Sequence, residues 1–89
     1  MRADLAALQG QRCRFAATYA GRSRKGHVIL KDVLGPACEA EHLWIRRSDW
    51  ATRLPAVGRR IELVGTVVPY WHDDGTKDFG LIACREVLP

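Results

Sequence analysis

The feature that most constrains the fold is an alternation of apolar and polar residues that recurs along nearly the whole chain. It is clear in residues 11–20, where Cys13, Phe15, Ala17 and Tyr19 share one side. Such a period of two is typical of a β-strand with one face in the core. Similar segments cover residues 27–34, 42–46, 59–71 and 79–88, with Gly, Pro or Asp-Gly signals between them. The sequence therefore predicts five strands.

Two segments have helical spacing instead. Residues 2–9 place Leu5 and Leu8 on one face before Gly10. Ser48 can cap a second helix of about two turns, in which Trp50 and Leu54 share a face. We predict both helices, and a loop at residues 37–41.

Strands in so short a chain must protect their edges, and closure of the sheet into a barrel does so. We therefore predict one all-β domain over residues 1–89, with Val28, Leu30 and Leu34 in the core and the Trp50 helix against the open end of the barrel. Gly65 is expected at a bulge or bend, and Pro69 at an edge.

Two stretches carry a family resemblance. The run LPAVGRRIELVGTV, residues 54–67, looks like the start of the fourth strand of an OB-fold, and GQRCRFAATYAGRSRKGHVILKDV, residues 10–33, looks like its first hairpin. The chain resembles this family over residues 10–88, and is similar to small OB-fold proteins encoded on phages and plasmids. The resemblance implies a five-stranded Greek-key barrel that often binds oligonucleotides on strands 2 and 3 and the flanking loops.

Basic residues form two blocks in the sequence. The net charge is +4, but residues 1–31 carry +6 and residues 45–60 carry +4, whereas the two other segments are acidic. Such clustering is typical of a protein that binds a polyanion, although a solvated surface has the same pattern. The odd number of widely spaced cysteines, Cys13, Cys38 and Cys84, favours a reducing cytoplasmic setting. We expect no signal peptide and no membrane association, because no long apolar run exists.

Single-strand binders combine a basic groove with aromatic side chains on which bases stack. If Val28 and Leu30 face the core, the outer faces of strands 1 to 3 and the flanking turns form a basic and aromatic strip. Its members are Arg14, Arg22, Arg24, Lys25, His27, Lys31, Trp44, Arg46, Trp71, His72 and Lys77. The sequence thus favours non-catalytic binding of single-stranded nucleic acid, DNA slightly ahead of RNA, with low sequence specificity.

Several alternatives stay open at this point. Trp44 belongs to the core if the strand register is shifted by one residue. The acidic residues Asp73, Asp74 and Asp78 oppose a polyanion at the last hairpin and favour a protein-interaction module, such as an adaptor or subunit with an acidic protein partner. We expect no enzyme, cofactor or metal, since Cys38 and His42 alone do not make a four-ligand site. The oligomeric state is not determined.

Overall fold

The computed structural model describes residues 5–36 and 38–88. These residues form a mainly β structure, as the alternation predicted. The five antiparallel strands are β1 (Arg12–Arg22), β2 (Val28–Gly35), β3 (Cys38–Ile45), β4 (Arg60–Trp71) and β5 (Lys77–Glu86).

The sheet has the order β3-β2-β1-β4-β5 and curls on itself. Its two outer strands, β3 and β5, come into contact. Just beyond β3, Trp50 forms a parallel bridge with Cys84 of β5, and the Ala51 amide donates to the Cys84 carbonyl at 2.9 Å. The result is a half-barrel whose concave side holds the core.

The core contains the residues that the alternation of β1 predicts. Phe15, Ala17 and Tyr19 are buried, and Val28 and Leu30 face them from β2. The expectation for Leu34 is wrong: its side chain is 50% exposed, and Val33 is buried instead. The cause is a β-bulge, because Asp32 has a positive φ of 51° and β2 has one residue more than β1 between their flanking pairs.

A second bulge lies where the sequence predicted one, because the register of β4 and β5 shifts between Val64 and Thr66, the two neighbours of Gly65. Its extra residue is on β5, so Gly65 itself is not the bulged residue. Ala83 has a positive φ of 52° and is the extra residue opposite Val64 and Thr66. Gly65 is needed for a different reason: a Cβ there would lie 2.8 Å from the Cys84 Sγ atom. Glycine therefore allows the bulged strand to approach β4 closely.

Two arginines hold these bulges. Arg12 donates to the Ala83 carbonyl at 2.8 Å and to the Thr66 hydroxyl at 3.2 Å. In the same way, Arg60 donates to the Asp32 carbonyl at 2.6 Å and to a threonine hydroxyl at 3.2 Å. Two of the basic side chains are therefore hydrogen-bonded to backbone carbonyls of the sheet.

The predicted helices are not confirmed. Of residues 2–9, the first three lie outside the described residues, Leu5 and Ala6 are helical, and residues 7–10 form turns. Between β3 and β4 the chain forms a single 3-10 turn, Arg47–Asp49, and Trp50 is extended. Its sheet-type bonds to β5 compete with a helix that would be too short to be stable alone. Trp50 is nevertheless in the core, at 2% exposure.

Two strand boundaries position the site. The strand β3 begins at Cys38, so residues 38–41, predicted as a loop, are part of the sheet. The strand β4 continues past its last pair with β1, Arg12 with Thr66, and pairs with β5 as far as Trp71 and Lys77. We call this two-stranded extension, residues 67–71 with residues 77–81, the β4–β5 arm. It explains the length of β4 and places Pro69 where β1 no longer pairs.

Candidate nucleic-acid interface

An open groove of about 660 Å³ separates the outer face of β3 from the β4–β5 arm. We call it the aromatic groove. On one side it is lined by His27, Trp44, Arg46 and Asp49, and on the other by segments that include Tyr70, Trp71, His72, Asp78, Phe79 and Ile82. It thus brings together five predicted site residues from three separate parts of the sequence, namely His27, Trp44, Arg46, Trp71 and His72.

The first wall is built on the alternation of β3. Leu43 and Ile45 are 2% and 0% exposed, whereas Trp44 between them is 60% exposed. The shifted register, which would bury Trp44, is therefore excluded. The His27 ring lies beside Trp44, with 6.1 Å between the ring centroids. The His27 amide donates to the Ser23 hydroxyl at 3.0 Å, which ties it to the β1–β2 turn.

The second wall is the β4–β5 arm. Trp71, at its tip, is 62% exposed. Lys77 pairs with Trp71 across the two strands, and its ammonium lies 5.6 Å from the Trp71 ring centroid and 5.4 Å from that of Phe79. These distances are within the range of a cation–π interaction, about 6 Å. The arm therefore presents a cation and an aromatic surface together.

The carboxylate of Asp78 is held within the arm. Its Oδ2 accepts from the Tyr70 hydroxyl at 3.1 Å and lies 3.5 Å from His72 Nε2, while its Oδ1 accepts from the Phe79 amide at 2.8 Å. The Tyr70 and His72 rings meet edge to face at 5.2 Å. Asp78 thus orients two groove side chains.

Asp74 has a local structural role in the hairpin turn. The Thr76 hydroxyl and amide donate to its Oδ1 at 2.6 and 2.9 Å. These hydrogen bonds hold the pKa of the Asp74 carboxyl below its usual value. The acidic composition of the hairpin therefore reflects, in part, the geometry of the turn, in which Gly75 has a positive φ of 86°.

The other predicted cations do not line the aromatic groove. Arg14 is exposed but forms an ion pair of 2.6 Å with Glu62 on β4. Arg22 donates to the Gly26 carbonyl at 3.2 Å within the β1–β2 turn. Arg24 and Lys25 are exposed in the same turn, and Lys31 is exposed on β2, paired with His42. Lys77 contacts the groove through Trp71 and Phe79.

The groove residues that sequence reasoning missed include Asp49, Tyr70, Phe79 and Ile82. The alternation of β4 offered a signal for Tyr70: Ile61, Leu63 and Val67 face the core, so Tyr70 has the outward parity and precedes the exposed Trp71. Ile82 could not be found in this way, because the bulge at Ala83 interrupts the alternation of β5. Asp49 was assigned to a helix that does not form.

The far end of β2 and β3 has the opposite character. A second groove of about 740 Å³ is lined by three acidic side chains and one basic one, together with Leu34 and His42; the charged residues are Asp32, Glu39, Glu41 and Arg60. The exposed tryptophans are therefore on the less acidic of the two grooves. Within residues 5–36 and 38–88, no group of three His, Cys, Asp or Glu side chains is placed to hold a metal ion.

Comparisons with family models, curated proteins and solved structures found no match to this chain. In the part of the chain that the structure describes, no helix is long and apolar enough to span a membrane.

Proposed function

We propose that the chain is an OB-fold protein that binds single-stranded nucleic acid in the aromatic groove, without catalysis and with little sequence preference. DNA is proposed slightly ahead of RNA. The observation that carries the proposal is the exposure of Trp44 and Trp71, 60% and 62%, in the same groove. Large side chains of this type are normally buried for most of their area, so two exposed indoles in one groove favour a ligand.

The strand arrangement supports the OB-fold part of the proposal. An OB-fold is a partly open five-stranded barrel with its ligand on strands 2 and 3 and on the loops after strands 1 and 4. Here β1 pairs with both β2 and β4, and β3 contacts β5. The aromatic groove is lined by β3 and by the β4–β5 arm, two of the parts with which an OB-fold binds its ligand.

Stacking of bases on two tryptophans can supply binding free energy on so small a domain. Each base stacked on an aromatic side chain contributes about 1–3 kcal/mol and does not require a particular sequence. Trp44 and Trp71 offer two such platforms, and Arg46 and Lys77 lie beside them. Arg24 and Lys25 are exposed in the β1–β2 turn, whose His27 lies beside Trp44, and they can contact further phosphates.

The test is a titration with single-stranded oligonucleotides that follows tryptophan fluorescence. Trp50 is buried at 2% exposure and serves as an internal reference. The double variant Trp44→Phe with Trp71→Phe should therefore lose the fluorescence quenching that binding causes. Trp71→Ala and Arg46→Gln should both weaken binding. Arg85→Gln makes the same charge change at an exposed site outside the groove and is the matched control.

The result that contradicts this proposal is an oligonucleotide titration at low salt in which the fluorescence of the wild-type protein does not change. Equal weakening by Arg46→Gln and Arg85→Gln would show that binding depends on net charge and not on the groove.

A protein-interaction module is the second candidate. The observation that favours it is the mixed character of the groove, where exposed Tyr70 and Ile82 lie near the carboxylates Asp49 and Asp78. In that case Trp71→Ala combined with Lys31→Ala should leave single-strand binding unchanged. A cytoplasmic location also belongs to the proposal, because the three cysteines of the sequence are widely spaced and odd in number.

A further inference from the structure

We propose that Asp49 makes the aromatic groove prefer bases with an exocyclic amino group, which are cytosine, adenine and guanine, over thymine and uracil. This inference rests on the proposed function and narrows it, because low sequence preference becomes a preference for one chemical group on the base that Trp44 stacks. A carboxylate that lines a groove for a polyanion must contact a part of the ligand other than its phosphates.

The position of Asp49 is fixed by two strands. Its amide donates to the Arg46 carbonyl at 2.9 Å, which places it in the turn directly after β3. Its Oδ1 accepts from the Ala83 amide at 3.2 Å, at the bulge of β5. The carboxylate therefore links the turn after β3 to the bulge of β5, and it lines the same groove as the exposed Trp44 and Ile82.

Only one oxygen of this carboxylate is used. Among the described residues, Asp49 Oδ2 has no hydrogen-bond partner, and no ion pair joins Asp49 to Arg46. The other groove carboxylate differs, because both oxygens of Asp78 have partners within the β4–β5 arm. Asp49 is thus the groove carboxylate with an acceptor available to a ligand.

An ionised carboxylate can only accept hydrogen bonds. It repels phosphate oxygens and base carbonyls, and it attracts the amino groups on base edges. A base stacked on Trp44 presents its edge to the groove walls, one of which carries Asp49. Cytosine offers an N4 amino donor there, whereas thymine and uracil offer an O4 carbonyl acceptor. The carboxylate therefore lies where bases bind and directs phosphates toward Arg46 and Lys77.

The experiment compares oligo-dC with oligo-dU of equal length, because these bases share the ring and the O2 carbonyl and differ only at C4, which carries an amino group or a carbonyl, and in the matching protonation of N3. Wild-type protein should bind oligo-dC about tenfold more tightly, the lower part of what one base-edge interaction contributes. Asp49→Asn keeps an oxygen for the Ala83 amide but replaces the available acceptor with a donor suited to O4, so the preference for oligo-dC should be lost. Asp73→Asn is the control, since it removes an exposed carboxylate outside the groove and should keep the ratio.

Thermal unfolding of both variants shows whether Asp49→Asn remains folded. Equal binding of oligo-dC and oligo-dU by the wild type, or an unchanged ratio in Asp49→Asn, overturns the role of Asp49 and leaves the proposed function standing. If neither oligonucleotide binds, both proposals are wrong.

Discussion

The tightest packing around a glycine is at Gly35, the last residue of β2. A Cβ added there would lie 2.5 Å from two ring carbons of Phe15 and 2.8 Å from the Cys38 Sγ atom. Phe15 is 1% exposed and Cys38 is 8% exposed, so neither side chain can turn into solvent. The substitution Gly35→Ala must therefore move a packed ring or the backbone of β2.

The expected cost follows from two opposed terms. Overfilling a packed core destabilises by about 1–3 kcal/mol, and the reduced freedom of the unfolded chain returns roughly 0.4–1 kcal/mol. Gly35→Ala should thus lower the free energy of unfolding by about 1–2 kcal/mol. With a urea m-value near the low end of about 1–3 kcal/mol/M, the midpoint should fall by roughly 1 M.

Urea denaturation followed by circular dichroism measures this shift. Gly80→Ala is a useful comparison, because its added Cβ meets the partly exposed Tyr70 ring at 3.3 Å, and that ring can move. The decisive comparison repeats Gly35→Ala in a protein that already carries Phe15→Leu. If the clash with the ring causes the loss, Gly35→Ala should lower the free energy of unfolding much less in that protein than in the wild type. An unchanged midpoint, or the same cost in both backgrounds, would refute the reasoning.

Three further predictions concern β5 and the hairpin turn. Gly65→Ala should destabilise the protein, because its Cβ would lie 2.8 Å from the Cys84 Sγ atom, and Cys84→Ala should relieve most of that loss in urea denaturation. Burial raises the pKa of the Cys84 thiol to about 12, so a thiol reagent should modify the half-buried Cys13 first, and alkaline pH should destabilise the fold above the pKa of an unfolded-state thiol. Hydrogen bonds from Thr76 lower the pKa of Asp74; its contribution to stability is therefore present at neutral pH and lost in acid, and Asp74→Asn should remove that part of the acid dependence. A carboxyl of Asp74 that titrates at its usual value by NMR would contradict this last point.

The strands could be predicted because their signal is local. Alternation over a few residues identifies the buried side of β1 and the outward position of Trp44, and the turn at Gly75 places Trp71 at an exposed tip. What failed depends on distant partners. Val33 is buried in place of the predicted Leu34 because of a bulge at Asp32, whose carbonyl accepts a hydrogen bond from Arg60 on β4. The residues around Asp32 in the sequence do not show that Arg60, 28 positions away, will bond to it.

The connection between β3 and β4 failed for the same physical reason. The spacing of Trp50 and Leu54 fits a helix, but hydrogen bonds from this segment to Cys84, far away in the sequence, keep Trp50 extended. The loss of that helix also moved Asp49 from a predicted helical first turn into the aromatic groove. The sequence thus identified the exposed tryptophans of the candidate site, and only the folded sheet revealed its carboxylate.

The uses of the arginines bear on the strength of any electrostatic binding. The chain has 14 Lys and Arg residues, but Arg12 and Arg60 hold bulge carbonyls and Arg14 pairs with Glu62. The cations that remain near the groove are Arg46 and Lys77, with Arg24 and Lys25 in the adjacent turn.

If these four cations each neutralise one phosphate of a single strand, the logarithm of affinity should fall with the logarithm of salt concentration with a slope of about −3. A slope on the order of −10 would be needed if nearly all the basic residues took part. Binding isotherms at several salt concentrations measure this slope. A steep slope would mean that the strand wraps the basic surface as a whole, so the aromatic groove could not be the main site. A shallow slope, together with loss of binding in Trp71→Ala, would assign most of the affinity to stacking, because stacking on the exposed indoles does not depend on counterion release.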